Sequence, residues 1–128
     1  MTAEALSPRD RERLAGVHPD LVRVVEAARR RADFMVVEGL RTRERQALLV
    51  AAGASQTYAS RHLTGHAVDL APRIEGEVRW DWPLYDQLGP IVKAEAARLG
   101  VRIVWGGDWT GFRDGPHFEL DRREYPAP

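Results

Sequence analysis

Two short stretches of this chain concentrate the side chains that can hold a metal ion or move a proton. The first runs Ser60-Arg61-His62-Leu63-Thr64-Gly65-His66-Ala67-Val68-Asp69 and carries two imidazoles and a carboxylate. The second is Asp114-Gly115-Pro116-His117-Phe118-Glu119. Zinc favours imidazole nitrogen and carboxylate oxygen, and a catalytic zinc typically takes three protein ligands and leaves one position to water. Asp69 stands between Val68 and Leu70 in an otherwise apolar run, so in a strand it points away from the face those two share. An unpaired carboxylate on an interior face is costly, and a cation would offset that cost. His117 and Glu119 share a strand face by the period of two, and Asp114 precedes His117 through a Gly-Pro turn. A carboxylate beside a metal-bound water can act as general base. On spacing alone, either cluster could be structural. Together they supply imidazoles and carboxylates enough for a metal site with a carboxylate to spare, and Asp114 and Glu119 are rivals for the spare. His18, beside Pro19 at a helix start, reads as a structural histidine.

These side chains lie far apart in the chain, so folded elements must bring them together. The 128 residues fit a single domain, 1–128, that can bury about two thirds of its unfolded surface. There is no cysteine, which excludes disulfides, thiolate zinc sites and cysteine nucleophiles. Nineteen basic and nineteen acidic residues balance to zero net charge, so no nucleic-acid partner is expected. The run Arg29-Arg30-Arg31 reads as a solvated helix end. The amino terminus lacks a basic start followed by an apolar run, and no stretch approaches the roughly 18 apolar residues of a membrane span. The expectation is a protein that is cytoplasmic as synthesised, inserts in no membrane and is monomeric.

Ser7-Pro8 predicts a first helix through Leu14, with serine as cap and proline at the first helical position. His18-Pro19-Asp20 opens a second, whose apolar face is Leu21, Val24, Val25 and Ala28. Phe34 to Val37 predicts a buried strand. Thr42 caps a third helix that runs to Ala52 and stops at Gly53. Ala54 to Thr64 reads as a loop, Ala67 to Leu70 as a strand, and Glu75 to Glu77 as a turn. Leu84, Leu88, Ile91, Val92 and Leu99 define a fourth helical segment, which Gly89-Pro90 should kink or interrupt. Val101 to Trp105 and His117 to Leu120 read as strands, and the tail ending Pro126-Ala127-Pro128 as loose. The pattern is α+β, a small, mostly antiparallel sheet with flanking helices.

The pattern Ser60-x-His62-x-x-Gly65-x-Ala67-x-Asp69, followed by Asp114-x-x-His117, resembles the signature of the VanY-like zinc D,D-peptidases. That group shares a fold with lysostaphin-type enzymes and the hedgehog amino-terminal domain. The resemblance is closest to the phage L-alanyl-D-glutamate peptidases, the endolysins. It extends over Glu38-Gly39-Leu40-Arg41-Thr42 with Gln46, Gly53-Ala54-Ser55, Trp80-Asp81-Trp82-Pro83 and Trp105-Gly106-Gly107-Asp108-Trp109, nearly the whole chain. By this resemblance a Zn2+ cofactor is held by His62, Asp69 and His117, and His66 is a neighbour of the site. Asp114 matches the catalytic carboxylate, where many relatives carry glutamate. Arg41 matches an arginine that faces substrate, with Arg43 as its fallback. Ser60, Arg41, Trp105 and Trp109 are the expected substrate contacts, although both tryptophans could equally be core. The implied partner is the peptidoglycan stem peptide, cut between L-alanine and D-glutamate. A D-alanyl-D-alanine carboxypeptidase and a non-catalytic zinc-stabilised binding module are the alternatives. An endolysin without a signal would reach the cell wall only after release.

Overall fold

The three residues that the sequence singles out for metal binding sit on two neighbouring strands and the short helix that leads into one of them. The structure, a computed structural model, describes residues 5–55 and 60–126. Among the described residues four α-helices, α1 (Pro8–Arg13), α2 (Pro19–Arg29), α3 (Arg43–Ala51) and α4 (Trp82–Leu99), accompany five strands. These are β1 (Phe34–Glu38), β2 (Ala67–Ile74), β3 (Glu77–Val78), β4 (Ile103–Trp105) and β5 (His117–Leu120). The sheet is antiparallel throughout, in the order β1-β2-β5-β4, with β3 a short hairpin partner of β2. This is the α+β arrangement expected.

One face of the sheet is the core. Phe34 and Val36 of β1, Val68 and Leu70 of β2, and Phe118 and Leu120 of β5 are all fully buried there. Helices α2 and α4 cover that face with Leu21, Val24, Val25, Leu88, Val92 and Ala96. Each such valine, leucine or phenylalanine contributes roughly 1.5–3 kcal/mol by leaving water. The opposite face carries the polar residues of the same strands. In β2 Asp69 faces away from Val68 and Leu70, and in β5 His117 and Glu119 alternate with Phe118 and Leu120. Asp69 is registered directly opposite His117.

A bulge in β1 completes this row. Val36 pairs with Leu70, yet the next pair is Glu38 with Asp69, so Val37 is an extra residue. Strict alternation would send Glu38 to the core side with Phe34 and Val36; the bulge turns it to the Asp69 side instead. The outer edge of β1 is closed by α1, since Val36 N–H donates to Asp10 and Arg13 donates to the Val36 carbonyl.

Several expectations need correction. The fourth helix runs unbroken from Trp82 to Leu99 with Pro90 inside it. Pro90 and Asp86 are both exposed, so the carbonyl that Pro90 cannot serve lies on the watered side. Strand β2 is longer than predicted and β3 was not foreseen. The loop before Asp69 contains a 3-10 helix over Arg61–Thr64; the rest of that loop falls partly outside the described residues, as does the end of the tail. Arg29 is buried and paired with Asp33, so only part of the basic run is solvated. Among the described residues no helix is long and apolar enough to cross a membrane.

Candidate active site

Ser60 caps the 3-10 helix, its hydroxyl accepting from the His62 backbone N–H, and so fixes the turn that carries the imidazole. Gly65 ends that helix with φ of 76°. A Cβ there would collide with the Gly16 carbonyl, so backbone conformation and packing both demand glycine. From this turn the His62 ring, 2% exposed, reaches Asp69 on β2 and faces His117 on β5 edge-on, with centroids 5.1 Å apart.

The hydrogen bonds define which nitrogen of each ring is available. His62 Nδ1 lies 2.8 Å from the Gly39 carbonyl, which can only accept, so Nδ1 carries the proton and Nε2 keeps its lone pair. His117 Nε2 lies 2.8 Å from Glu119 Oε1 and donates to it, which leaves the lone pair on Nδ1. Both lone pairs are aimed at one carboxylate oxygen: His62 Nε2 is 3.1 Å and His117 Nδ1 3.5 Å from Asp69 Oδ1. The candidate ligand atoms of the three residues all lie within 4.8 Å of one another. Three acceptors converging in this way require a positive charge between them. Without a metal that charge is a proton. Burial would lower His117, but hydrogen bonds to Asp69 and Glu119 outweigh it and push its pKa up to about 9. Burial likewise opposes ionisation of Asp69, and the hydrogen bond from protonated His117, with the His62 ring beside it, overrides that and holds the carboxyl well below its ordinary value.

A divalent ion meets the same demand. Two imidazole nitrogens and a carboxylate oxygen are a catalytic zinc donor set, and bonds of about 2.0–2.1 Å in a tetrahedron give ligand separations of about 3.3 Å. The observed 3.1 and 3.5 Å bracket that value. The residues present therefore fit a zinc ion.

Asp114 lies in the same cleft. Its backbone N–H donates to the Gly106 carbonyl and its own carbonyl accepts from the His117 N–H, which ties it to β5. Among the described residues its carboxylate accepts no hydrogen bond. Burial and the neighbouring charge of Asp69 raise its pKa, partly offset by His117, His62 and Arg41. A carboxylate left without a donor beside these ligands is chemically able to accept a proton.

Arg41 departs from the expectation of an arginine presented to substrate. It borders the cleft but is only 8% exposed, and four of its five N–H groups are engaged. Nε and Nη2 grip both oxygens of Glu38, Nη1 donates to Gln46 Oε1 at 2.7 Å, and Nη2 also reaches Asp69 Oδ2 at 3.4 Å. It braces the far oxygen of Asp69. Arg43 is exposed and does not border the cleft.

The cleft is about 620 Å³. Ser60 and Trp109 line it, and the Trp109 ring lies 5.0 Å from that of His117. Trp105 does not line it. It is 5% exposed, stacks on Phe118 in the core and donates its indole N–H to the Gly115 carbonyl. Pairing with Phe118 across β4 and β5 puts it on the core face. His66 faces away, near His18, which caps α2 through Nδ1. Glu119, the rival carboxylate, is fully engaged. It is 4% exposed, with one oxygen on His117 and the other on Arg122, and those bonds outweigh burial to lower its pKa. Glu38, Gln46 and Arg122 carried no assigned role in the sequence. The pairing of Glu38 with Arg41 three residues later, around Gly39, was the one signal available.

Comparison with known proteins adds a second line of observation. The family model described as "Phage L-alanyl-D-glutamate peptidase" matches residues 3–127. A crystal structure of the Serratia marcescens L-Ala D-Glu endopeptidase ChiX superposes with a TM-score of 0.90 at 49% identity, covering 95% of this chain and 93% of that one. An L-alanyl-D-glutamate peptidase of Listeria phage A118 is 40% identical over 94 residues, 73% of this chain. This chain spans about a third of that relative's length, 32%. One of Escherichia phage T5 is 32% identical over 120 residues, covering 89% of this chain and 87% of the relative.

Proposed function

The chain belongs to the phage L-alanyl-D-glutamate peptidase family, and from that premise we propose that it is a zinc-dependent hydrolase of the peptidoglycan stem peptide, cutting between L-alanine and D-glutamate. The observation that carries the reading is the convergence of His62 Nε2 and His117 Nδ1 on Asp69 Oδ1, with the other nitrogen of each ring tied to a hydrogen-bond acceptor. His62, Asp69 and His117 would hold the ion. Zinc bound there supplies Lewis-acid polarisation of the scissile carbonyl and lowers the pKa of water towards about 7.

The rest of the chemistry falls to the chain's own residues. Asp114 takes the proton of the attacking water and returns it to the leaving amine. Glu119 keeps the His117 proton on Nε2, so that Nδ1 stays available. Arg41, anchored by Glu38 and Gln46, holds Asp69 at its far oxygen and acts through it. Ser60 sets the turn of His62, and Trp109 flanks the bond to be cut. The whole chain serves as one catalytic domain and acts on the cell wall as a monomer.

Purified protein should bind one zinc ion and release fragments from stem peptides that mass spectrometry assigns to cleavage between L-alanine and D-glutamate. Chelation should abolish this and zinc restore it. His62→Ala and Asp69→Ala should lose metal and activity together. Release of terminal D-alanine instead, or full activity after chelation, would overturn the proposal.

A further inference from the structure

The cleft borders on four arginines, and two are already engaged. Arg41 is locked among Glu38, Gln46 and Asp69. Arg61 is 5% exposed and gives its Nη2 to the carbonyls of Leu120 and Tyr125. Arg45, across the cleft, lies 3.8 Å from Glu38. Arg122 is different. Its side chain is 68% exposed, and among the described residues its one acceptor is Glu119 Oε2, 3.2 Å from Nε. Four of its five N–H groups are left for a ligand.

The place of Arg122 is as telling as its exposure. Glu119 bonds His117 through one oxygen and Arg122 through the other, so the guanidinium stands two hydrogen bonds from a proposed zinc ligand. The single charge of Glu119 faces two guanidiniums, since Arg61 approaches it to 3.9 Å. Asp121 is the other carboxylate at this wall, and Arg61 is buried, so the exposed guanidinium of Arg122 is the group here that an anion can reach. Trp109, Glu119 and Arg122 also border a second hollow that continues the cleft past Val104 and Asp121. A substrate leaving the site on that side passes Arg122.

We propose that Arg122 reads the free carboxylate of the D-glutamate residue on the leaving side of the cut bond, and so selects acidic over amidated stem peptides. The inference rests on the reading that the bond cut is L-alanyl-D-glutamate. Such a residue uses its amine in the scissile bond and one carboxyl to continue the chain. The other carboxyl remains ionised a few bonds from the scissile nitrogen. A guanidinium binds a carboxylate through two parallel charge-assisted hydrogen bonds; a carboxamide offers one acceptor and no charge. Arg122 is a specificity residue, distinct from the proton-transfer group.

The test uses two synthetic stem peptides that differ only in bearing a carboxylate or a carboxamide on the D-glutamate. Zinc-loaded wild type should prefer the acid by about 10- to 100-fold in kcat/KM. Arg122→Gln should bring the ratio near one, chiefly through a higher KM for the acidic peptide. Arg122→Lys should restore part of it, and Arg45→Gln should leave it in place. A role confined to holding Glu119 and His117 would slow both peptides alike and keep the ratio, which would overturn the assignment. So would a wild type that cuts both peptides equally, or a ratio that collapses in Arg45→Gln. A wild type that cuts neither peptide would overturn the proposed function and this inference together. An unchanged ratio in an enzyme that does cut at that bond overturns the Arg122 assignment alone.

Discussion

Glu119→Gln separates the two things a carboxylate can do beside a metal-binding histidine. In the structure Glu119 accepts the His117 Nε2 proton at 2.8 Å and so holds the ring with Nδ1 towards Asp69. Glutamine keeps the shape and an acceptor oxygen but removes the charge. Exchanging a hydrogen bond to a charged group for a neutral one costs roughly 1–2 kcal/mol. If that loss falls on zinc binding, the zinc Kd rises about 5- to 30-fold. This is the scale usual for partners that orient metal ligands. The variant should also be somewhat less stable, because Arg61, 5% exposed and 3.9 Å away, loses its counter-charge. The assay is competition for zinc against a chromophoric chelator, followed by kcat at saturating zinc in a buffer where circular dichroism shows the variant folded. The expected result is weaker zinc binding with kcat within a few-fold of wild type. An unchanged Kd with kcat lowered a hundredfold or more would make Glu119 the proton acceptor and refute the assignment of Asp114.

Asp114→Asn should retain zinc and lower kcat by about 10²- to 10⁴-fold. Because a base works only when ionised, the acid limb of wild-type kcat/KM should report this carboxyl and vanish in this variant. In zinc-free protein His117, raised to about 9, binds its proton more tightly folded than unfolded. Its contribution to stability is thus complete below about pH 6.5 and is lost as pH rises through about 9. Denaturation of the chelated protein at pH 6, 7.5 and 9 should show that decline. A flat profile would mean that the converging acceptors are not compensated by this proton.

The ligand set His62, Asp69 and His117 was legible only through the family resemblance; what the sequence carries locally is the facing of one of its members. Asp69 interrupts an apolar strand between Val68 and Leu70, and that alternation alone puts it on the far face from the core. Helix starts were equally plain, since Ser7 and Thr42 each accept from the backbone N–H of the third residue of their helices. What remained hidden depends on tertiary register. Trp105 and Trp109 stand four residues apart in one motif, yet only the pairing of Trp105 with Phe118 decides which is core and which is cleft. Whether Arg41 meets substrate or braces Asp69 depends on Gln46, one turn into α3, and on Glu38, both of which approach it only once β1 and α3 have folded. Pro90 reads as an interruption until its carbonyl partner is found to face water.

The extra residue at Val37 acts as a phase shift in a strand that supplies no metal ligand at all. Remove one residue from β1, and the glutamate that clamps Arg41 either swings in among the aliphatic side chains beneath the sheet or drags the following Gly39 carbonyl off His62. A side chain on the rim of the cleft can therefore be exchanged with a local effect, whereas a change in the count of residues between Phe34 and Gly39 displaces the whole polar row at once.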